Sequence, residues 1–414
     1  MILTREQLNQ LNSTNRFIID WCDWFTDYEE DLIYTDERIE EVLSNNEEIS
    51  ELHYMFPGEF DWTVIEIDEF FKLSEDLKEI EIVNSGIIKT RFRRYYVVDA
   101  NDPDASHLIR NVIDVKTELP NGTTVEIVNE PFIVGLAATR MNEYESDEWG
   151  AISPYIAIEI VYKNEEDILE EDKEKELVNS FIFEIADSFN IALDYSEIRN
   201  PIYDYEDIEE EAELVEDLRG LEEYNEAMKF FVSAVQIKDP ELRFLNYYKV
   251  LEHFSPIAIN MEAYELMRKK LDAPKKLFED GDFIRSIFSL ANSTRERFND
   301  EDLIKASFST CFDLIGLFQK LPASIQKKIR KQISSQTIDY STDKQKVATA
   351  CNITARIVYK TRNKVVHAKS NFTLTGEEID LSEFDELNSF MKEACSQAIR
   401  WYNRQPKHFQ LEII

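Results

Sequence analysis

Three side chains near the end of one amphipathic run carry the most specific chemistry in this chain: Arg362, Asn363 and His367, within Arg362-Asn-Lys-Val-Val-His367. Asn363 and His367 are four residues apart, so on a helix they share a face. Arg362 precedes the histidine by five residues, about 140° round an ideal helix, and its long side chain has to curl across the surface to reach the same point. A guanidinium fork binds the nonbridging oxygens of a phosphate and a carboxamide orients a partner. An imidazole, with an ordinary pKa of about 6.5, exchanges a proton at neutral pH. The combination suits transesterification of RNA, in which the 2'-hydroxyl already provides the nucleophile and the chemistry needs no metal. Lys360, Lys364 and Lys369 surround the trio as candidate substrate-binding cations. The same spacing also fits a solvated end of a basic helix in which His367 has no special role, so the spacing alone does not decide.

The element that has to position these residues begins near Ser341-Thr-Asp343, a capping sequence, and runs on through Phe372, with Ala350, Ile353, Ile357 and Val358 as its apolar stripe. Everything from about residue 222 reads as helix. The periodicity predicts helices at 222–237, 240–254, 259–271, 281–291, 299–319, 322–335, 342–369 and 382–403, with Pro240, Pro256, Pro274 and Pro322 at helix boundaries. This is an all-α bundle. Phe230, Phe231, Phe244, Tyr247, Phe308, Phe312 and Phe318 fall at helical spacings and belong to its core.

Upstream the pattern differs. Residues 1–80 read as helix and loop, and residues 79–164 as β-branched and aromatic runs broken by turns: Ile80 to Val83, Ile87 to Val98, Val112 to Leu119, Val125 to Ile127, Phe132 to Ala138 and Tyr155 to Tyr162. Asn121-Gly122 between apolar runs marks a hairpin. Residues 166–191 return to helix. The expected architecture is an α+β N-terminal domain with a mostly antiparallel sheet, residues 1–220, followed by the helical domain, residues 221–414.

Charge divides the chain at nearly the same place. Of its 414 residues, 46 are Lys or Arg and 83 Asp or Glu, a net of -37. Residues 1–230 carry -41 and residues 231–414 carry +4, while residues 320–370 hold twelve cations against Asp339 and Asp343. A chain this acidic is a poor nucleic-acid ligand overall, but it holds one patch of the size a polyanion requires. The run 203–217, YDYEDIEEEAELVED, reads as a solvated helix or a linker.

Arg362-Asn363-Lys364-Val365-Val366-His367, late in a helical region and preceded by IVYKT, resembles the R-x(4-6)-H motif of the HEPN superfamily, with the polar residue after Arg that its ribonucleases carry. A second segment agrees. Pro240 to Phe254, PELRFLNYYKVLEHF, is similar to the early helix of HEPN domains of the kind found in ApeA-type anti-phage defence proteins, although His253 stands where the pattern has Tyr. The resemblance covers about residues 225–405. It implies a homodimer in which two motifs face each other across a composite ribonuclease site. His367 would be the proton-transfer residue, Arg362 the phosphate ligand and Asn363 the positioning group, with Glu252 in support of Arg362. It further implies an RNA substrate and a latent toxin in abortive infection, released by a phage-derived protein or nucleic-acid trigger acting at the acidic N-terminal half.

Other classes lack support. Nine glycines form no phosphate-cradling loop, so no nucleotide cofactor is expected. Cys22, Cys311, Cys351 and Cys395 contain no CxxC pair, so no thiolate metal site is expected and buried reduced thiols are. His53, His107 and His408 read as surface or structurally satisfied residues. The start, MILTREQLNQLN, lacks a secretory h-region and no long apolar span exists, so the expectation is a cytoplasmic protein without membrane partners. The rival reading is a noncatalytic HEPN-like dimer whose acidic half mimics nucleic acid or captures a basic partner.

Overall fold

The computed structural model describes the chain apart from residues 101, 112–114, 147–149, 200–217, 273–280, 294–298, 368–374 and 411–414, and apart from the side chains of 103, 104, 111, 262, 263, 265–267, 270, 271, 287, 290–293 and 408. The acidic run 203–217 therefore lies outside the described residues. Two compact units result: Met1–Phe181 with Ile191–Leu221, and Ile182–Asn190 with Glu222–Ile414. The first is α+β and the second all-helical.

The first unit opens with helices α1 (Arg5–Trp21), α2 (Glu29–Leu32) and α3 (Asp36–Asn45). Thr4 caps α1 in a reciprocal box with Gln7. A small hairpin, β1 (Glu51–Tyr54) with β2 (Thr63–Glu66), and helix α4 (Ile67–Leu77) follow. Then come β3 (Glu81–Asn84), β4 (Ile87–Lys89), β5 (Arg93–Asp99), α5 (Pro103–Asn111), β6 (Lys116–Glu118), β7 (Thr124–Asn129), α6 (Phe132–Met141), β8 (Ile156–Val161), α7 (Glu171–Phe189) and β9 (Asp194–Tyr195). The larger sheet has the order β3-β4-β5-β8-β7-β6, with β9 added to β5, and every pairing is antiparallel.

At its centre β5 and β8 run opposed from Arg93–Val161 to Val98–Ile156. Both strands are buried along nearly their whole length, which is why Tyr95–Val98 and Ile156–Ile158 are consecutive apolar residues rather than alternating ones. The charges they bury are paired. Arg94 Nε donates to Glu174 Oε1 at 2.9 Å, and Glu174 also accepts from the phenols of Tyr96 and Tyr162. Asn121-Gly122 turns the β6–β7 hairpin, with Gly122 at φ +83° and the Asn121 side chain accepting the Thr123 N–H at 3.1 Å.

Phe132 to Ala138, expected as a strand, is the first part of helix α6. Every residue from Phe132 to Thr139 is buried, so neither a two-residue nor a 3.6-residue alternation survives in the sequence. The helical signals are the flanking ones: Pro131 at the start and Asn142, at φ 59°, as the left-handed end.

The second unit contains α8 (Ala227–Gln236), α9 (Pro240–Leu271), α10 (Gly281–Ser293), α11 (Asp300–Thr310), α12 (Leu314–Leu317), α13 (Ala323–Ile333), α14 (Lys344–His367), α15 (Phe384–Asn403) and α16 (Lys407–Gln410). Helix α9 is the hub. It packs on α8, α11 and α15, while α14 lies on α11 and α13. Phe231, Phe244, Tyr247, Phe308 and Phe318 are buried in this core. Arg400 of α15 is buried too, with Nη2 2.6 Å from Glu184 Oε2, Nη1 3.1 Å from Asp187 Oδ2 and a hydrogen bond to Ser396 Oγ.

Two helix boundaries differ from those expected. The 299–319 stretch breaks after Thr310, where the Asp313 side chain accepts the Ile315 N–H and starts a new turn. Pro256, expected at a boundary, sits inside α9. Proline has no N–H for the carbonyl of Glu252 four residues back, and the Ser255 hydroxyl donates to that carbonyl instead, at 2.8 Å. All four cysteines are free and buried. Among the described residues no helix is long and apolar enough to cross a membrane.

Candidate functional site

Helix α14 starts after Asp343, whose carboxylate accepts the Gln345 N–H at 2.8 Å. Ala350, Ile353, Ile357 and Val358 are buried, and the hydroxyls of Thr354 and Thr361 are satisfied inside the core by the carbonyls of Ala350 and Ile357. With that stripe anchored, Arg362 is turned towards α9 and His367 ends the helix, exposed to solvent.

Three contacts define the position of the Arg362 guanidinium. Nη1 donates to Asn363 Oδ1 at 3.1 Å, Nη2 lies 3.8 Å from Glu252 Oε1, and Cζ stands 5.5 Å from the centre of the Tyr248 ring. Tyr248 and Glu252 are one turn apart on α9, so one helix face supplies both the ring and the carboxylate. An exposed cation–ring contact is worth about 0.5–1 kcal/mol and an ion pair with a half-exposed partner about 0–1 kcal/mol. Their effect is orientation more than stability. Burial pushes the Tyr248 phenol well above its ordinary range, the Glu252 charge adding to the shift and Arg362 opposing it, so the ring beneath the guanidinium stays neutral.

The structure thus brings Arg362, Asn363 and Glu252 together, and it places His367 one turn beyond Asn363 on the same face of α14. The flanking lysines do something else. Lys360 forms an ion pair with Glu377, and Lys364 Nζ donates to the Ile379 carbonyl at 2.9 Å. Lys369 lies outside the described residues.

Residues 375–379 therefore form a strap across the C-terminal half of α14. Ile379 N–H donates to the buried Thr361 hydroxyl at 3.0 Å, and Arg356 joins Lys360 on Glu377 at 3.2 Å. The Lys360 hydrogen bond, together with Arg356, holds the Glu377 carboxyl below its usual range. Glu378 folds the strap on itself by accepting from Thr375 N, Thr375 Oγ1 and Gly376 N. Burial opposes its charge, but these donors outweigh that and lower its pKa to about 2.

Tyr248, Glu377 and Glu378 escaped the sequence reading. Tyr248 belongs to the tyrosine-rich segment singled out there, but the strap carries no motif, and only its closeness to the basic run could have drawn attention to it. Among the described residues no group of three or more His, Cys, Asp or Glu side chains converges as a metal site would require. His53, in the first unit, has Nε2 3.2 Å from Glu51 on a half-exposed strand. Compared with known protein families, curated proteins and solved structures, the chain matches none.

Proposed function

We propose that the helical unit is a metal-independent endoribonuclease that cuts RNA by 2'-hydroxyl transesterification at a site completed by a second copy of the chain. The observation that carries this reading is the arrangement of Arg362: held by Asn363, Glu252 and the Tyr248 ring, on the helix that ends in the exposed His367. In the reaction the 2'-oxygen attacks phosphorus, an imidazole takes the hydroxyl proton, and the bond to the 5'-oxygen breaks as that oxygen acquires a proton. A 2',3'-cyclic phosphate and a 5'-hydroxyl remain. Arg362 would carry the charge that grows on the nonbridging oxygens, the largest single contribution available to such a site. Two imidazoles, one from each copy, would serve base and acid.

The test is cleavage of an RNA oligonucleotide in excess EDTA. Arg362→Ala and His367→Ala are each expected to lower the rate by about 10²- to 10⁴-fold while helicity and dimer formation persist. Chelator-sensitive cleavage, or full activity in either variant, would overturn the reading. Mixing wild type with an excess of His367→Ala chains should depress activity more than dilution does, because mixed dimers hold half a site. The first unit, with the net charge of -41 lying in residues 1–230, would be the sensor that weakens RNA binding and slows cleavage, without abolishing either, until a phage-derived trigger binds.

One observation favours the alternative, a noncatalytic dimeric interaction protein: Lys360 and Lys364 are engaged by the 375–379 strap rather than presented to a phosphate. Wild-type chain that forms dimers yet leaves RNA intact would establish that reading.

A further inference from the structure

An open cleft of about 630 Å³ lies in the second unit, with walls from α11, α13 and α14 and one edge at Glu377. Its character is cationic and hydrophilic. Lys305, Lys328, Lys331 and Arg356 line it against two carboxylates, Glu301 and Glu377, and Ile353 is its one apolar lining residue. The four cations are not equivalent. Lys305 is neutralised by Glu301 at 2.8 Å and Arg356 by Glu377 at 3.2 Å. Lys328 gives a hydrogen bond only to the neutral Glu377 carbonyl, at 3.2 Å, and neither it nor Lys331 has a carboxylate within ion-pair distance among the described residues. These two lysines are three apart on α13, hence on one face, and both stand exposed over the cleft.

The α14 wall links this cleft to the candidate site. Thr349, Asn352 and Arg356 line it, and the spacing of seven from Arg356 to Asn363 and of eleven to His367 keeps all five residues within about 60° of one another round the helix. Arg362 lies about 120° away, on the side facing α9. The distance along the axis from Arg356 to His367 is about 16 Å, room for a few nucleotides of extended strand.

We infer that this cleft is a phosphate-binding subsite for single-stranded RNA, in which Lys328 and Lys331 hold the backbone on one flank of the bond cut beside His367. The inference rests on the ribonuclease reading and names where its substrate lies. A cleft lined by four cations against two carboxylates, with neutral donors and almost no apolar wall, suits a phosphodiester chain better than a base or an acyl group. It also supplies substrate contacts in place of Lys360, which the Glu377 carboxylate takes up.

The experiment uses the full chain carrying His367→Ala, so that a fluorescein-labelled single-stranded RNA stays intact, and follows its affinity across a salt series. Adding Lys328→Ala with Lys331→Ala is expected to weaken binding roughly tenfold and to reduce the slope of log affinity against log salt by about 1.4, at about 0.7 per lost phosphate contact. Lys328→Arg with Lys331→Arg should keep the slope. Lys344→Ala with Lys346→Ala, which removes the same charge from exposed positions outside the cleft, should change it less. A slope equal to that of the parent, or equal to that of the Lys344/Lys346 control, overturns the subsite. Cleavage by wild type with an unchanged slope would sink the subsite and leave the nuclease standing. A slope that depends on Lys328 and Lys331 without any cleavage does the reverse, and no binding of RNA removes both.

Discussion

Glu252 and Arg362, 110 positions apart in the sequence, meet across α9 and α14 with 3.8 Å between carboxylate and guanidinium. The same residue supplies the carbonyl that Pro256 leaves without its helical donor and that Ser255 satisfies, so the helix stays continuous through the point where Glu252 has to face α14.

From that pairing follows a graded effect on catalysis. Glu252→Ala removes an orienting charge and leaves Arg362 tethered by Asn363 and Tyr248, so RNA cleavage should fall by roughly tenfold, well short of the loss on removing Arg362 itself. The Michaelis constant should change less than the turnover, and Glu252→Gln should recover part of the rate. Loss equal to that of Arg362→Ala would mean that Glu252 takes part in the chemistry directly.

Tyr248 offers a test of the ring as opposed to the phenol. Its hydroxyl is buried and has no hydrogen-bond partner among the described residues. Tyr248→Phe removes an unsatisfied polar group and keeps the cation–ring contact, so stability in urea should be unchanged or higher and activity kept. Tyr248→Ala opens a cavity and should cost about 3–5 kcal/mol. A clear destabilisation by Tyr248→Phe would reveal a partner for the hydroxyl.

The strap should loosen in acid. Glu378 is lowered from 4.5 to about 2, so its contribution is fully present above the unfolded-state value and disappears as pH falls through the folded-state value. Glu377, also lowered, acts in the same direction. Amide exchange at Ile379, normalised to its intrinsic rate, should lose protection progressively between these limits, and Glu378→Gln should show reduced protection already at neutral pH. Protection that is flat with pH in wild type would show that the strap does not depend on this carboxylate.

Arg400 is expected to matter more than any surface ion pair. Its neighbours Glu184 and Asp187 are themselves buried or nearly so, and Arg400→Ala takes away the guanidinium that both of them face. The cost should be about 3–5 kcal/mol in equilibrium unfolding of the helical unit. Arg400→Lys should recover little, since an ammonium cannot reproduce two guanidinium contacts on different partners. A cost under about 1 kcal/mol would mean that water replaces the missing charge.

The order of architectures, α+β and then all-helical, was legible in the amino-acid sequence. Strand runs such as Tyr155 to Tyr162 and helical stripes such as Ala350 to Val358 are local patterns, set by which neighbours share a face. That Arg362, Asn363 and His367 share one helix was legible for the same reason. Other features waited on contacts between residues far apart. Phe132 to Ala138 carries no helical period of its own because it is enclosed on all sides, which erases the pattern that distinguishes the two conformations. Pro256 was tolerated because a neighbouring hydroxyl served the stranded carbonyl. Lys360 and Lys364 were taken up by the strap, and Lys328 and Lys331 were left facing a cleft, because α13, α14 and residues 375–379 pack as they do. A sequence encodes faces through its period, but which faces meet is settled by the packing of the whole unit, and there the charges of this site found their partners.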